Sequence, residues 1–145
     1  MKKIIIAIIA LLSMGVAEAQ IQSQGPSPRV ETIYGPRAGV WFNRIEGING
    51  WEYYLSMATT NQFDDHMLIN LGTIDNAKLS IQWFIDNFEL GKNYRMKDDK
   101  KYPFVAICVS VFATDCWEFY KEGHAGCARV RMSDFSRILN KLNEQ

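Results

Sequence analysis

Residues 40–60 read VWFNRIEGINGWEYYLSMATT, and this stretch determines the fold class. Its two halves, residues 40–45 and 51–60, are rich in aromatic and β-branched side chains, which favour strands. The dipeptide Asn49-Gly50 between them suits the two positive-φ positions of a type I′ turn. The stretch therefore predicts a β-hairpin with these two residues as its loop.

The register of this hairpin sorts its side chains onto two faces. With Ile48 opposite Trp51, one face is apolar and is expected to meet the core: Val40, Phe42, Ile48, Trp51, Tyr53, Leu55 and Met57. The other face carries Trp41, Asn43, Ile45, Glu52, Tyr54, Ser56 and Ala58.

Aromatic rings interleaved with hydrogen-bonding groups on this second face are typical of a flat binding site for a protein or a glycan. The candidate binding residues are Trp41, Asn43, Glu52 and Tyr54. The alternative is that a helix or the preceding segment covers the rings and makes this face a second core.

A helix is predicted over residues 74–90, downstream of a short third strand at 66–71. Thr73 is a plausible N-cap and Gly91 a plausible C-terminal stop. Apolar residues recur between them at steps of three and four: Ile74, Ala77, Ile81, Phe84, Ile85 and Phe88.

The remainder of the chain predicts three more strands and a second helix. Residues 104–113 are apolar at nearly every position, as in a strand buried on both faces. Two further strands, 117–120 and 125–132, precede a helix that Ser133 is expected to cap. The class is therefore α+β, in the order β-β-β-α-β-β-β-α, with a mainly antiparallel sheet of about five to six strands and both helices packed on it. No internal repeat is evident.

The N-terminal segment has the three parts of a bacterial secretion signal. Lys2-Lys3 is followed by an apolar run over residues 4–16 and by Ala17-Glu18-Ala19, a small-x-small pattern that predicts cleavage before Gln20. The run is shorter than the roughly 20 residues that span a hydrocarbon core, so an uncleaved membrane anchor is the weaker alternative. No second apolar segment of that length follows, so no membrane span is expected after cleavage. We therefore expect a signal peptide at 1–19 and a location in the periplasm or outside the cell.

Three prolines and three glycines lie between Gln20 and Gly39, and residues 20–36 are predicted to be a flexible tether ahead of a single domain at 37–145. The whole chain carries 16 basic and 16 acidic residues, and removal of the signal leaves it close to neutral. Together with the export signal and the lack of a nucleic-acid-binding motif, this balance argues against a nucleic-acid partner.

Three cysteines follow the cleavage site, and an odd number allows one disulfide in an oxidising compartment. Cys116 and Cys127 flank a predicted hairpin and would face each other if Tyr120 lies opposite Gly123, so a disulfide between them is possible. With a loop one residue longer, all three thiols stay unpaired.

Two small groups of residues could carry chemistry. His124 lies three residues before Cys127, so a pair of base and nucleophile has to be considered, and Asp64 and His66 could share a metal ion. Neither spacing is specific, so no catalytic residue, metal ligand or cofactor is assigned.

The sequence thus favours an exported, non-catalytic binding or protein-interaction module that uses a sheet face, with an unknown protein or glycan as its ligand. One alternative is a small exported hydrolase with a Cys/His or metal-assisted site. Another is an inhibitor or immunity-type partner of a second exported protein.

Overall fold

The computed structural model describes residues 27–61 and 66–145. Within them the chain forms two antiparallel four-stranded sheets and two helices, which confirms the α+β class. The first sheet has the order β1-β2-β3-β4 and the second β5-β6-β7-β8. In chain order the elements are β1 Val30–Arg37, β2 Val40–Gly47, β3 Gly50–Met57, β4 Met67–Gly72, α1 Ile74–Asp86, β5 Asn93–Lys97, β6 Pro103–Val111, β7 Thr114–Lys121, β8 Ala128–Arg131 and α2 Met132–Asn143.

The order of the predicted elements is correct, but eight strands in two sheets replace the five to six expected in one. The additional strands are β1 and β5, each of which is one of the two edge strands of its sheet. Strand β1 takes up residues 30–36, which the sequence assigned to the tether, and its pairing with β2 shifts register twice. Such irregularities allow an edge strand to hold Gly35 and Pro36, the residues that made this segment resemble a linker. The predicted signal peptide, its cleavage site and residues 20–26 lie outside the described residues.

The two halves of the chain repeat one arrangement, four antiparallel strands followed by a helix, which the sequence reading missed. We call residues 30–86 the first unit and residues 93–143 the second unit. The third strand of each unit carries a similar tetrapeptide, WEYY at 51–54 and WEFY at 117–120. This pair is the sequence trace of the repeat.

The predicted hairpin is present, but its register is two residues away from the expected one. Gly47 pairs with Gly50 and Glu46 with Trp51, so the loop is Ile48-Asn49, and of its neighbourhood only Gly50 has a positive φ, 113°. Because strand side chains alternate with a period of two, a shift of two residues leaves the side chains of both strands on their predicted faces. The prediction for Ile48 is wrong: it was expected to meet the core opposite Trp51, but it lies in the loop and is fully exposed.

Helix α1 begins as predicted, with the Thr73 side chain accepting a hydrogen bond from the Asn76 backbone N–H at 3.3 Å. It ends at Asp86, earlier than expected, and Asn87 caps this end by donating to the Trp83 carbonyl through both its backbone and its side chain. The cap predicted for the second helix is wrong: α2 follows Arg131 directly, with no side-chain cap, and Ser133 lies inside it.

The core lies between the helices and one face of each sheet, which we call the inner faces. The rings of Phe84 in α1 and Phe135 in α2 stack with centroids 5.0 Å apart. The Trp117 indole in β7 is fully buried and donates to the Phe84 carbonyl at 2.9 Å. Burying each such side chain contributes roughly 1.5–3 kcal/mol, and the shared aromatic cluster joins both units into one core.

Polar contacts also cross between the units. Thr59 forms an isolated β-bridge with Ala128, and the Lys121 ammonium donates to the Leu68 carbonyl. Neither α1 nor α2, the helices of the described residues, has the length and apolarity needed to cross a membrane.

Candidate functional site

The face of the first sheet that points away from the helices is here called the outer face. All four candidate binding residues lie on it, because their strand neighbours Val40, Phe42, Leu55 and Met57 point into the core. Strand pairing arranges the outer face in three rows: Thr32, Asn43, Tyr54 and Asn70 in the middle, Val30, Ile45 and Glu52 on one side, and Trp41, Ser56 and Leu68 on the other.

The outer face is partly exposed. Trp41 and Tyr54 are both half-buried, and neither belongs to the hydrophobic core of the described residues. The His66 ring packs against Trp41 with centroids 4.4 Å apart. The helix cover that the sequence left open as an alternative is absent from the described residues, since both helices contribute to the core on the inner side.

Glu52 anchors one corner of the outer face. Its carboxylate accepts hydrogen bonds from the Tyr54 hydroxyl at 2.9 Å, the Asn70 amide at 3.2 Å and the Lys100 ammonium at 3.0 Å. The bond from Lys100, followed by those from Tyr54 and Asn70, lowers the pKa of Glu52. Burial, reinforced by the adjacent Glu52, raises the pKa of Tyr54 to about 12. At neutral pH the pair is therefore a carboxylate that orients a neutral phenol, and it is poorly suited to proton transfer.

Asn43 contributes an unusual feature to the middle row. Its side-chain oxygen is buried without a hydrogen-bond partner among the described residues, although Thr32 and Tyr54 flank it on the neighbouring strands. An unsatisfied buried oxygen costs about 1–3 kcal/mol. The side-chain oxygen of Asn43 thus lies at the centre of the outer face and forms no hydrogen bond within the described residues.

The second sheet repeats the Glu-Tyr pair, and the sequence reading missed it. The Tyr120 hydroxyl donates to Glu118 at 2.6 Å, and Arg129 donates to the other carboxylate oxygen at 2.6 Å. Burial raises the pKa of Glu118, but the bonds from Tyr120 and Arg129 outweigh it and leave that pKa below its ordinary value. The repeated tetrapeptides are the signal that could have revealed this second pair. In both pairs the glutamate accepts a hydrogen bond from a tyrosine two residues along its strand and pairs with a cation, Lys100 in the first sheet and Arg129 in the second.

The possible disulfide between Cys116 and Cys127 is absent, and both thiols are buried and unpaired. Cys116 lies opposite Arg131, four residues beyond Cys127 along the chain. At about 3.3 Å per residue, that offset places the two cysteines roughly 13 Å apart. Disulfides require Cα atoms within about 7 Å, so the register of the last hairpin excludes the bond.

The hypothetical nucleophile pair is not assembled by hydrogen bonding. The Cys127 thiol lies 3.8 Å from the Thr60 hydroxyl, and Nδ1 of His124 is buried without a hydrogen-bond partner among residues 27–61 and 66–145. Asp64, one half of the hypothetical metal pair, lies outside the described residues. Among the residues that are described, no three His, Cys, Asp or Glu side chains form a group that could hold a metal ion.

The outer face thus combines aromatic and polar side chains, and the carboxylate of Glu52 on it is paired with Lys100. No protein-family model matches the chain, and searches of curated proteins and of solved structures found no significant match.

Proposed function

We propose that this chain is an exported, non-catalytic interaction module that presents its outer face to another protein. The observation that carries the proposal is the placement of Trp41, Asn43 and Tyr54 side by side on a sheet face that the helices leave uncovered. A rigid aromatic surface of this kind gives contact area at a low cost in side-chain entropy.

The support beneath the outer face favours binding without rearrangement. Strands β2 and β3 are the two central strands of the first sheet, and their inner residues Phe42 and Leu55 are fully buried. Tyr54 is held in place by Glu52. Since a preorganised surface loses little freedom on association, more of the contact energy appears as affinity.

A protein partner fits the outer face better than a glycan. Recognition of sugar hydroxyls needs several accessible hydrogen-bonding groups, whereas the Asn43 side-chain oxygen is buried and the Glu52 carboxylate already accepts three bonds from the fold. The rows beside the middle one also carry apolar side chains: Val30 and Leu68 are exposed, and Ile45 is half-buried. Aromatic rings together with apolar side chains are typical of the better-buried part of a protein interface.

The test compares wild type with the double variant Trp41→Ala/Tyr54→Ala, using the immobilised chain and a fraction of exported proteins from the same cell. We expect one protein to be retained by wild type and by the control variant Tyr102→Ala, which removes an exposed ring elsewhere. With that protein purified, calorimetry should give at least a tenfold weaker Kd for the double variant.

Equal affinity of the double variant for the purified partner would overturn the proposal. If the chain binds specific glycans on an array and this binding requires Trp41, the ligand of the outer face is a sugar and not a protein. Circular dichroism of both variants establishes that the fold is intact.

A further inference from the structure

A second candidate binding surface, lined mostly by residues that do not belong to the outer face, lies between the two units. We call it the α1 groove: a cavity of about 410 Å³ with α1 on one side and residues 96–104 of the second unit on the other. The edge strand β4 contributes Leu71 to its lining. Grooves of about 300–1,000 Å³ at the boundary between substructures are common small-molecule sites.

The helix wall of the α1 groove carries an apolar patch. Leu79 and Trp83, one turn apart on α1, both line it, beside two polar side chains of the same helix, Asn76 and Ser80. Leu79 is 70% exposed and is therefore open to a ligand. The Trp83 ring is fixed by edge contacts with Phe84 and Tyr94 at centroid distances of 5.5 and 5.0 Å. This wall therefore offers a preformed patch of apolar surface to a ligand.

Lysine side chains supply the charge at the solvent boundary of the groove. Lys97 and Lys101 line it and are exposed, and neither forms an ion pair within the described part of the chain. The carboxylate of Asp98 is buried and occupied, since it accepts from the backbone of Lys100 and Tyr102 and pairs with Lys121 at 3.4 Å.

Asp99 is the remaining acidic residue of the lining, and it is exposed. Its carboxylate is turned against Gly72, where an added Cβ atom would lie 2.7 Å from it. Because Asp98 is paired with Lys121, two lysines without an ion pair in the described residues face solvent with a single exposed carboxylate, and the groove has an excess of positive charge. This balance favours an anion over a cation.

The backbone of this rim is also unusual. Lys101 adopts a φ of 73°, a left-handed conformation that costs a non-glycine residue energy. The Asp98 carbonyl accepts the Lys101 backbone N–H at 2.9 Å and holds the turn in this shape. Strained residues that the surrounding structure holds in place concentrate at ligand-binding positions.

From these features we infer that the α1 groove binds a small amphipathic anion, with the apolar part against Leu79 and Trp83 and the anionic head between Lys97 and Lys101. The inference is independent of the proposed function, because the outer face contributes none of these four side chains. A ligand held there bridges the two units.

The experiment titrates the full chain with sodium dodecanoate below its micelle concentration and follows binding by calorimetry. We expect saturable binding with one site per chain. Dodecanol, which lacks the charge, and dodecyltrimethylammonium, which reverses it, should each bind at least five times more weakly.

Matched variants locate the site. Leu79→Asp should weaken dodecanoate binding at least tenfold, while Leu90→Asp, at a leucine that is 64% exposed outside the groove, should leave it unchanged. The double variant Lys97→Gln/Lys101→Gln should weaken binding about fivefold and remove most of its salt dependence, whereas Lys141→Gln on α2 should have no effect.

The inference is wrong if dodecanoate shows no saturable binding, if the alcohol or the ammonium compound binds as well as the carboxylate, or if Leu79→Asp binds like wild type. Sedimentation of the ligand-free chain provides a further check. Concentration-dependent association that Leu79→Asp abolishes, without dodecanoate binding, would make the groove an interface between copies instead. None of these outcomes depends on capture of a protein by the outer face.

Discussion

The Tyr34 hydroxyl donates a hydrogen bond to the Asp134 carboxylate, so the first strand of the first unit is joined to the last helix of the second unit. The two residues are 100 positions apart in the chain, and the Asp134 side chain is fully buried. Arg131 completes the cluster with hydrogen bonds of 2.8 and 3.0 Å to the two carboxylate oxygens. This cluster ties β1, which the sequence assigned to a tether, to the rest of the fold.

Tyr34→Phe is expected to lower the free energy of unfolding by about 1.5–3 kcal/mol, the usual contribution of a hydrogen bond to a charged group. Urea denaturation followed by fluorescence measures the change. Tyr102→Phe removes a hydroxyl from an exposed ring and serves as the control, with an expected effect near zero. Equal stability of the two variants would show that β1 is not anchored through this contact.

The same cluster predicts a dependence of stability on pH. Burial raises the pKa of Asp134, but hydrogen bonds from Arg131 and Tyr34 outweigh it and hold that pKa below its ordinary value of 3.8. A carboxyl group with a lowered pKa stabilises the fold above its unfolded pKa, and this contribution is lost as the pH falls through the folded pKa.

Asp134→Asn should therefore be less stable than wild type by about 3 kcal/mol at pH 7, and the difference should shrink below about pH 4. Denaturation midpoints measured from pH 7 to pH 3 test this. A difference that stays constant over the whole range would assign the loss to packing and not to the charge.

The loop that joins β6 to β7 is expected to hold strained backbone. Phe112 and Ala113 have φ values of 50° and 63°, and Phe112 is 99% exposed. Replacing both residues by Asn-Gly should raise the free energy of unfolding by about 1 kcal/mol, because these residues adopt positive φ at lower cost.

The first hairpin offers a matched control. Neither Ile48 nor Asn49 has a positive φ, so Ile48→Asn/Asn49→Gly should bring no gain in stability. Thermal unfolding of the two double variants and of wild type measures both effects. A gain in stability for the first-hairpin variant alone would contradict the explanation by strain at Phe112 and Ala113.

Reducing agents are expected to leave the stability of the chain unchanged, because all three cysteines are unpaired. Burial raises the pKa of the Cys108 and Cys116 thiols, which slows their reaction as thiolates. Ellman's reagent should titrate three thiols in denaturant without prior reduction and react slowly with the folded chain. A count of one thiol in denaturant would indicate a disulfide after all.

Sequence periodicity predicted the central elements well. The alternation in residues 40–60 placed Trp41, Asn43, Glu52 and Tyr54 on one face, and this assignment survived an error of two residues in register. Thr73 marked the start of α1 because its cap uses only neighbouring backbone groups. In each case the information lies within a few residues of the feature.

That reasoning did not predict the edge strands β1 and β5, the register that separates Cys116 from Cys127, or the α1 groove. Strand β5 has a polar, charged sequence and forms because β6 supplies its hydrogen bonds. The groove brings Leu79 and Lys101 together from different units, and nothing in the spacing of the two residues predicts it.

The amino-acid order alone determined which residues form the central strands and helices and which side of the first hairpin is apolar, since both follow from local backbone preferences and from side-chain alternation. Tertiary structure decided that eight strands divide into two sheets, that Cys116 lies beyond the reach of Cys127, and that Asp134 holds β1 through Tyr34. The Tyr34–Asp134 contact joins residues 100 positions apart and forms only when the two units share one core. The two sheets and the position of Cys116 depend on which strands pair and in which register, and the spacing of residues leaves that pairing undetermined.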